Sequence, residues 1–209
     1  MKSRRSIAQV AALGTFGLWV VGCTTDPPRE LAESEAMMSA ELVGRTVVDA
    51  VEETIQAIAL AGDPRGLTYE HEVDCPEGGT AALSGTVTVD EQIDDSSYSA
   101  SAEGSVDFDS CAGRTDEDVV VALTGVIDFA AAIVATVSLA DRVAYISVAG
   151  SAAGSLEWEI VEEGESGVCE VDVAFDVDLE FEFGSGVRTV EGDMTGTVCG
   201  HIVDVELEF

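Results

Sequence analysis

The residues with the widest chemical range in this sequence are five cysteines and two histidines: Cys23, Cys75, Cys111, Cys169, Cys199, His71 and His201. Cysteine and histidine together bind zinc, and cysteine pairs form disulfides. His71 stands four residues before Cys75, and Cys199 stands two before His201. Those four would supply a Cys2His2 set if the two ends of the domain met, but the spacings follow no zinc module. Cys23 is set apart by the stretch that precedes it. The other four then form an even set, as expected of two disulfides in an exported chain. Four cysteines allow three pairings. Sequence order favours Cys75 with Cys111 and Cys169 with Cys199. A hairpin turning near Gly184 pairs residues whose numbers sum to about 368, and 169 and 199 make that sum. Each closed loop would contribute roughly 3 kcal/mol through the entropy it removes from the unfolded chain.

Other chemistries find little support. The chain after residue 22 contains no lysine, which removes Schiff-base, Ser-Lys and phosphate-loop roles. With His71 and His201 alone, a Ser-His-Asp site has few candidates. Gly150-Ser151-Ala152-Ala153-Gly154 holds its serine in the wrong place for a nucleophile elbow. His71-Glu72 lacks the second histidine of a zincin. Paired carboxylates could serve a glycosidase, yet 41 acidic residues make chance proximity certain. Asp94-Asp95, Asp116-Glu117-Asp118 and Glu162-Glu163-Glu165 fall in expected turns. None follows a calcium-loop pattern, so weak calcium binding is the most they suggest, and no metal or other cofactor is expected.

The charge is extreme. The formal net charge is −32. Lys2, Arg4 and Arg5 lie in the first 22 residues, so the remainder carries six basic and 41 acidic residues, a charge of −35. Such a surface repels nucleic acid and bare anionic headgroups. A solvated, salt-screened surface explains it, as would binding of divalent cations or a cationic ligand. Yet 46% of residues are hydrophobic, too many for an acidic disordered chain. Acids must therefore alternate with core residues, and that is a strand pattern.

One helix precedes the strands. Between about Pro28 and Ala61, Val43, Val47, Val51, Ile55 and Ile58 recur at steps of four and three, forming one apolar face. Asp26 is a candidate N-cap, and Gly62 with Pro64 forms a stop signal. Gly44 weakens the middle and would allow a split. The helix is expected to cover one face or one end of a sheet.

From Leu67 the period changes to two. Strands are expected at Leu67–Asp74, Thr80–Glu91, Ser97–Asp109, Val119–Leu139, Ala144–Ile160, Cys169–Phe183, Val187–Cys199 and Ile202–Phe209. Turns fall at Pro76–Gly79, Gln92–Ser96, Arg114–Asp118 and Gly184–Gly186. Cys169–Phe183 is the clearest, with Val171, Val173, Phe175, Val177, Leu179 and Phe181 on one face and acids on the other. Phe129–Ala140 is nearly all apolar and reads as a strand buried on both sides or a short buried helix; Ile133, Val134, Thr136 and Val137 favour the strand. The small residues of Gly150–Gly154 suggest a bend, a bulge, a close backbone approach or two strands joined by a turn. The sum is a mainly β fold: an antiparallel meander of about eight to ten strands, as a curved sheet, a barrel or a sandwich, with one N-terminal α-helix packed on it.

The start of the chain is different in kind. A basic beginning, Met1-Lys2-Ser3-Arg4-Arg5, leads into an apolar run from Ile7 to Val21, ending in Val20-Val21-Gly22-Cys23. The run is too short and glycine-rich for a spanning helix. The stretch resembles the lipobox of bacterial lipoproteins, a likeness that covers about the first 23 residues. It implies a signal peptide over 1–22, cleavage before Cys23 and a lipid on Cys23. By the sorting rule usual for that class in Gram-negative bacteria, Thr24 after the cysteine implies the outer membrane. Residues 23–29 are then a short lipidated tether, 30–62 the helix and 66–209 the β-domain. The membrane, through the lipid, is the expected partner.

Three functions follow as expectations. The first is a non-enzymatic, lipid-anchored domain with a structural or interaction role and a protein partner. The second is a carrier of a hydrophobic ligand on a curved sheet, with room at Gly150–Gly154. The third is an envelope hydrolase using carboxylates.

Overall fold

The computed structural model describes residues 30–61, 67–92, 96–138, 140, 142–182 and 186–208. The leader, Cys23, Asp26, the stop at Gly62 and Pro64, Asp94-Asp95 and the turn at Gly184 and Ser185 lie outside them. One helix, α1 (Glu33–Ala61), precedes eight strands: β1 (Leu67–Asp74), β2 (Thr80–Gln92), β3 (Ser97–Arg114), β4 (Val120–Ser138), β5 (Val143–Ile160), β6 (Glu165–Glu182), β7 (Gly186–Val198) and β8 (His201–Glu208). Each strand pairs antiparallel with the next, in the order β1 to β8, to make one curved, unclosed sheet. Of the three expected forms, the curved sheet is the one found.

Period-two alternation builds this sheet. Along β6 Val171, Val173, Phe175, Val177 and Leu179 are buried, while Asp172, Asp176 and Asp178 are exposed. The strands share this parity along most of their length, so the sheet has an apolar inner face and a mainly polar outer one, on which Val126, Val134 and Ile202 are also exposed. Val43, Val47 and Val48 of α1 join the buried cluster of the inner face. The helix touches β1 and β8, the two edge strands, together with β7, β2, β3 and β4. Contact with both edges means that the sheet wraps the helix. The side chains of Val51, Ile55 and Ile58 lie outside those described.

Several boundaries differ from expectation, each for a local reason. The helix starts at Glu33 rather than near Pro28, because Glu35 Oε2 accepts the Ala32 N–H at 2.7 Å, half of a capping box. Gly44 does not split it; a Cβ there would lie 2.9 Å from Leu207 Cδ2 and 3.3 Å from Met194 Cε, so the glycine lets helix and sheet approach. β3 runs on to Arg114 through a bulge between Phe108 and Cys111, with Ser110 at φ 53°. Phe129–Ser138 is strand but is not buried on both sides: Phe129, Ala131 and Ile133 face the core, whereas Val134 is 45% exposed. β5 is one continuous strand in register with both neighbours, without the bend, bulge or turn allowed for. Its glycines mark close approach instead: a Cβ at Gly150 would stand 2.4 Å from Ala130 O and 2.6 Å from the Phe175 ring.

Candidate functional site

The meander places the turns β1–β2, β3–β4, β5–β6 and β7–β8 at one end of the sheet, and both disulfides are there. Cys75 pairs with Cys111 at a Cα–Cα distance of 5.3 Å, and Cys169 with Cys199 at 4.3 Å. The first ties the end of β1 to the β3 bulge, across β2. The second joins β6 to the turn after β7, where Cys199 takes φ 53° and its N–H donates to Glu170 O at 2.9 Å. The expected pairing is found, but the register behind it is shifted. Over most of β6–β7 partners sum to 369, as in Val171 with Val198; the sum of 368 holds only at Phe181 with Val187 and Glu182 with Gly186, beyond an irregularity at Glu180.

The same end holds the start of the helix. His201 Nε2 lies 2.7 Å from Leu31 O. A carbonyl only accepts, so Nε2 carries the proton and donates. This bond ties the first residue of β8 to the chain just before α1, with Leu31 itself buried. The histidine is thus structural in its contacts, and the four cysteines are bonded to each other. Among the described residues no group of three or more His, Cys, Asp or Glu side chains is placed to hold a metal ion.

The β1–β2 turn lies beside β3, bonded to it through the backbone. Ala112 N–H donates to Gly78 O at 2.8 Å, and Glu77 N–H donates to Ala112 O at 3.0 Å. Gly79, at φ 76°, passes so near β3 that a Cβ would meet Ser110 O at 2.0 Å, which no other residue could tolerate. Arg114 locks the turn from the side. Its Nε and Nη2 donate to the two Glu77 oxygens at 3.0 and 2.8 Å, and its Nη1 to Asp118 Oδ1 at 2.7 Å. The Arg114 hydrogen bonds hold the Glu77 carboxyl below its ordinary pKa. In the sequence Arg114 stands only in a charged turn, and its signal is scarcity: it is one of six basic residues after residue 22.

The outer face gathers carboxylates in cross-strand rows. Asp176 faces Asp193, which faces Glu206; Asp178 faces Glu191. Like charges directly opposite destabilise a sheet, so these rows reflect the surface and not the strength of the fold. The clusters Asp116-Glu117-Asp118 and Glu162-Glu163-Glu165 are not brought together into a chelating set.

Among the described residues the inner face is closely packed where α1 meets β5 and β6. Under α1, between Val47, Val48 and Val148, Phe175, Val177 and Leu179, the gap is about 10 Å³. The room expected at Gly150 and Gly154 is taken by the side chains of Phe175 and Ile127. Among the described residues no helix is long and apolar enough to cross a membrane. No known protein family, curated protein or solved structure matches the chain.

Proposed function

We propose that this chain is an exported, lipid-anchored envelope protein, cut before Cys23, whose β-domain has a non-enzymatic interaction or structural role at the membrane surface. The fate of the cysteines carries the reading. Cys75–Cys111 and Cys169–Cys199 are disulfides, bonds that persist in oxidising compartments and are rare in the cytosol. Cys23, the residue marked by the leader, is left over as the odd one. The lipid on Cys23 holds the domain to the membrane, and Thr24 directs it to the outer membrane of a Gram-negative cell.

The fold gives this anchor a geometry. Leu31 is held by His201 and lies eight residues after Cys23. Eight extended residues span at most about 28 Å, so the lipid stays near the disulfide end. Strands of 18 and 19 residues extend roughly 60 Å, so the opposite end can stand well away from the bilayer. With α1 covering the inner face, the acidic outer face is what the domain presents. That surface suits a partner with neutral or cationic chemistry and repels nucleic acid and anionic headgroups.

Replacement of Cys23 tests the reading. Cys23→Ser is expected to move the protein from the membrane fraction to the soluble envelope fraction, with both disulfides kept. Unchanged membrane fractionation of the variant contradicts the anchor.

A further inference from the structure

We propose that the Cys169–Cys199 disulfide is a reducible switch: a dithiol reductant opens it in the folded protein, ahead of Cys75–Cys111, and its opening loosens β8 and the start of α1. The turn that carries Cys199 supplies the first reason. Val198 pairs with His201, so Cys199 and Gly200 form a two-residue hairpin loop. Their φ angles are 53° and 83°. Positive φ at both central positions is the geometry of a type I′ turn, which asparagine, aspartate and glycine accept and other side chains resist. The disulfide therefore holds Cys199 in a conformation that a free cysteine disfavours. Opening the bond removes that hold.

Access distinguishes the two disulfides. Cys75 and Cys111 are both buried, and the turn beside them is also bonded to β3 through Glu77, Gly78 and Arg114. Loss of their bridge leaves those bonds in place. Cys169 is buried, but Cys199 is only half-buried. A thiolate of the reductant attacks Cys199 Sγ, the S–S bond breaks, and Cys169 leaves as a thiolate and takes a proton. The released thiol has an acceptor in reach, because Cys169 Sγ lies 3.7 Å from Glu170 O. The second thiol of the reductant then attacks the mixed disulfide. It releases Cys199 as a thiol and leaves the reductant as a disulfide, so the electron pair comes from the dithiol. The consequence runs along β8. His201, next after the turn, donates to Leu31 O before the helix, and Leu207 stands against Gly44 of α1. β8 is an edge strand, paired with β7 alone, so a loosened turn reaches the helix start through it. The inference is independent of the anchor, since every residue in it belongs to the folded domain.

Graded reduction of the oxidised protein tests it, with free thiols first blocked, dithiothreitol as the reductant and mass mapping of alkylated peptides as the readout. Cys169 and Cys199 should become alkylated at least about tenfold faster than Cys75 and Cys111. At that stage amide hydrogen exchange in β8 and at the start of α1 should rise by at least about fivefold, with β4 unchanged. Two double variants separate the turn from the sulfur bond. Cys169→Ala with Cys199→Ser should exchange as the reduced parent does. Cys169→Ala with Cys199→Asn supplies a residue that accepts positive φ, and should exchange more slowly than the serine pair. The reduction experiment uses the parent chain and decides the question even where a variant fails to fold. Equal rates for the two disulfides, earlier opening of Cys75–Cys111, unchanged exchange in β8 after selective reduction, or equal exchange in the serine and asparagine variants would each overturn the proposal.

Discussion

Arg114 binds two carboxylates at once. It joins the β1–β2 turn at Glu77 to the β3–β4 turn at Asp118, and so ties two neighbouring turns together. The pH dependence of this link has a definite sign. A carboxylate whose pKa is depressed by folding adds stability above its unfolded pKa and loses that contribution as pH falls through the folded value. Glu77→Gln should therefore melt at a lower temperature than the parent at pH 7. The two melting temperatures should converge as acid takes Glu77 through its depressed pKa. Both partners are solvent-exposed, so the difference at neutral pH will be small. A gap that stays constant down to pH 2 would assign the effect to packing of the turn and not to charge. Residues of this kind are the least legible in a sequence. The cysteine pairs could be inferred from sequence order, helped for Cys169 and Cys199 by an approximate hairpin sum, because their partners lie within neighbouring hairpins. The partners of Arg114 and His201 depend on which turns meet, and nothing local records that.

Strands were legible here because one face is wet. In Cys169–Glu182, acids at every second position leave a helix no coherent face, and β6 follows that pattern. Where polarity fades, so does the signal. Phe129–Ser138 has small apolar residues on both faces, and its sequence does not reveal that Val134 faces solvent. Bulges are similarly hidden: the irregularity at Glu180 shifts the β6–β7 register by one in the sum, with no glycine or proline to mark it. Gly44 shows a different ambiguity. By propensity it is a weak point of about 1 kcal/mol in a helix; in the fold it is where α1 rests on Leu207 and Met194. Gly44→Ala should be close to neutral in urea unfolding, because the helix gain offsets a contact that flexible side-chain ends can relieve. Gly44→Leu should cost about 1–3 kcal/mol through overpacking. Equal stability of the leucine variant and the parent would mean that the helix does not pack closely at this point.

At the scale of the whole molecule, one helix and one sheet divide the labour. The helix fills the inner face and touches both edges of the sheet, which lets eight strands curve without closing. The acids of the strands alternate onto the outer face, where solvent and salt moderate their repulsion, while Glu35 is buried at the start of the helix. Sequence reading reached the class and the strand count but not the choice among sheet, barrel and sandwich. That choice depends on how far the sheet curls before the helix stops it. The location of both disulfides at one end follows from the meander itself, whereas the bond from His201 to Leu31 that brings the helix start there has no local signal. This arrangement gives the proposed anchor a meaning: the tether leaves from the braced end. The most direct measurement is the intact mass of the mature amino-terminal peptide from membranes of the producing cell. The account predicts a chain beginning at Cys23 with the added mass of lipid on that residue, and the other four cysteines oxidised. An amino terminus elsewhere, or an unmodified Cys23, would contradict it.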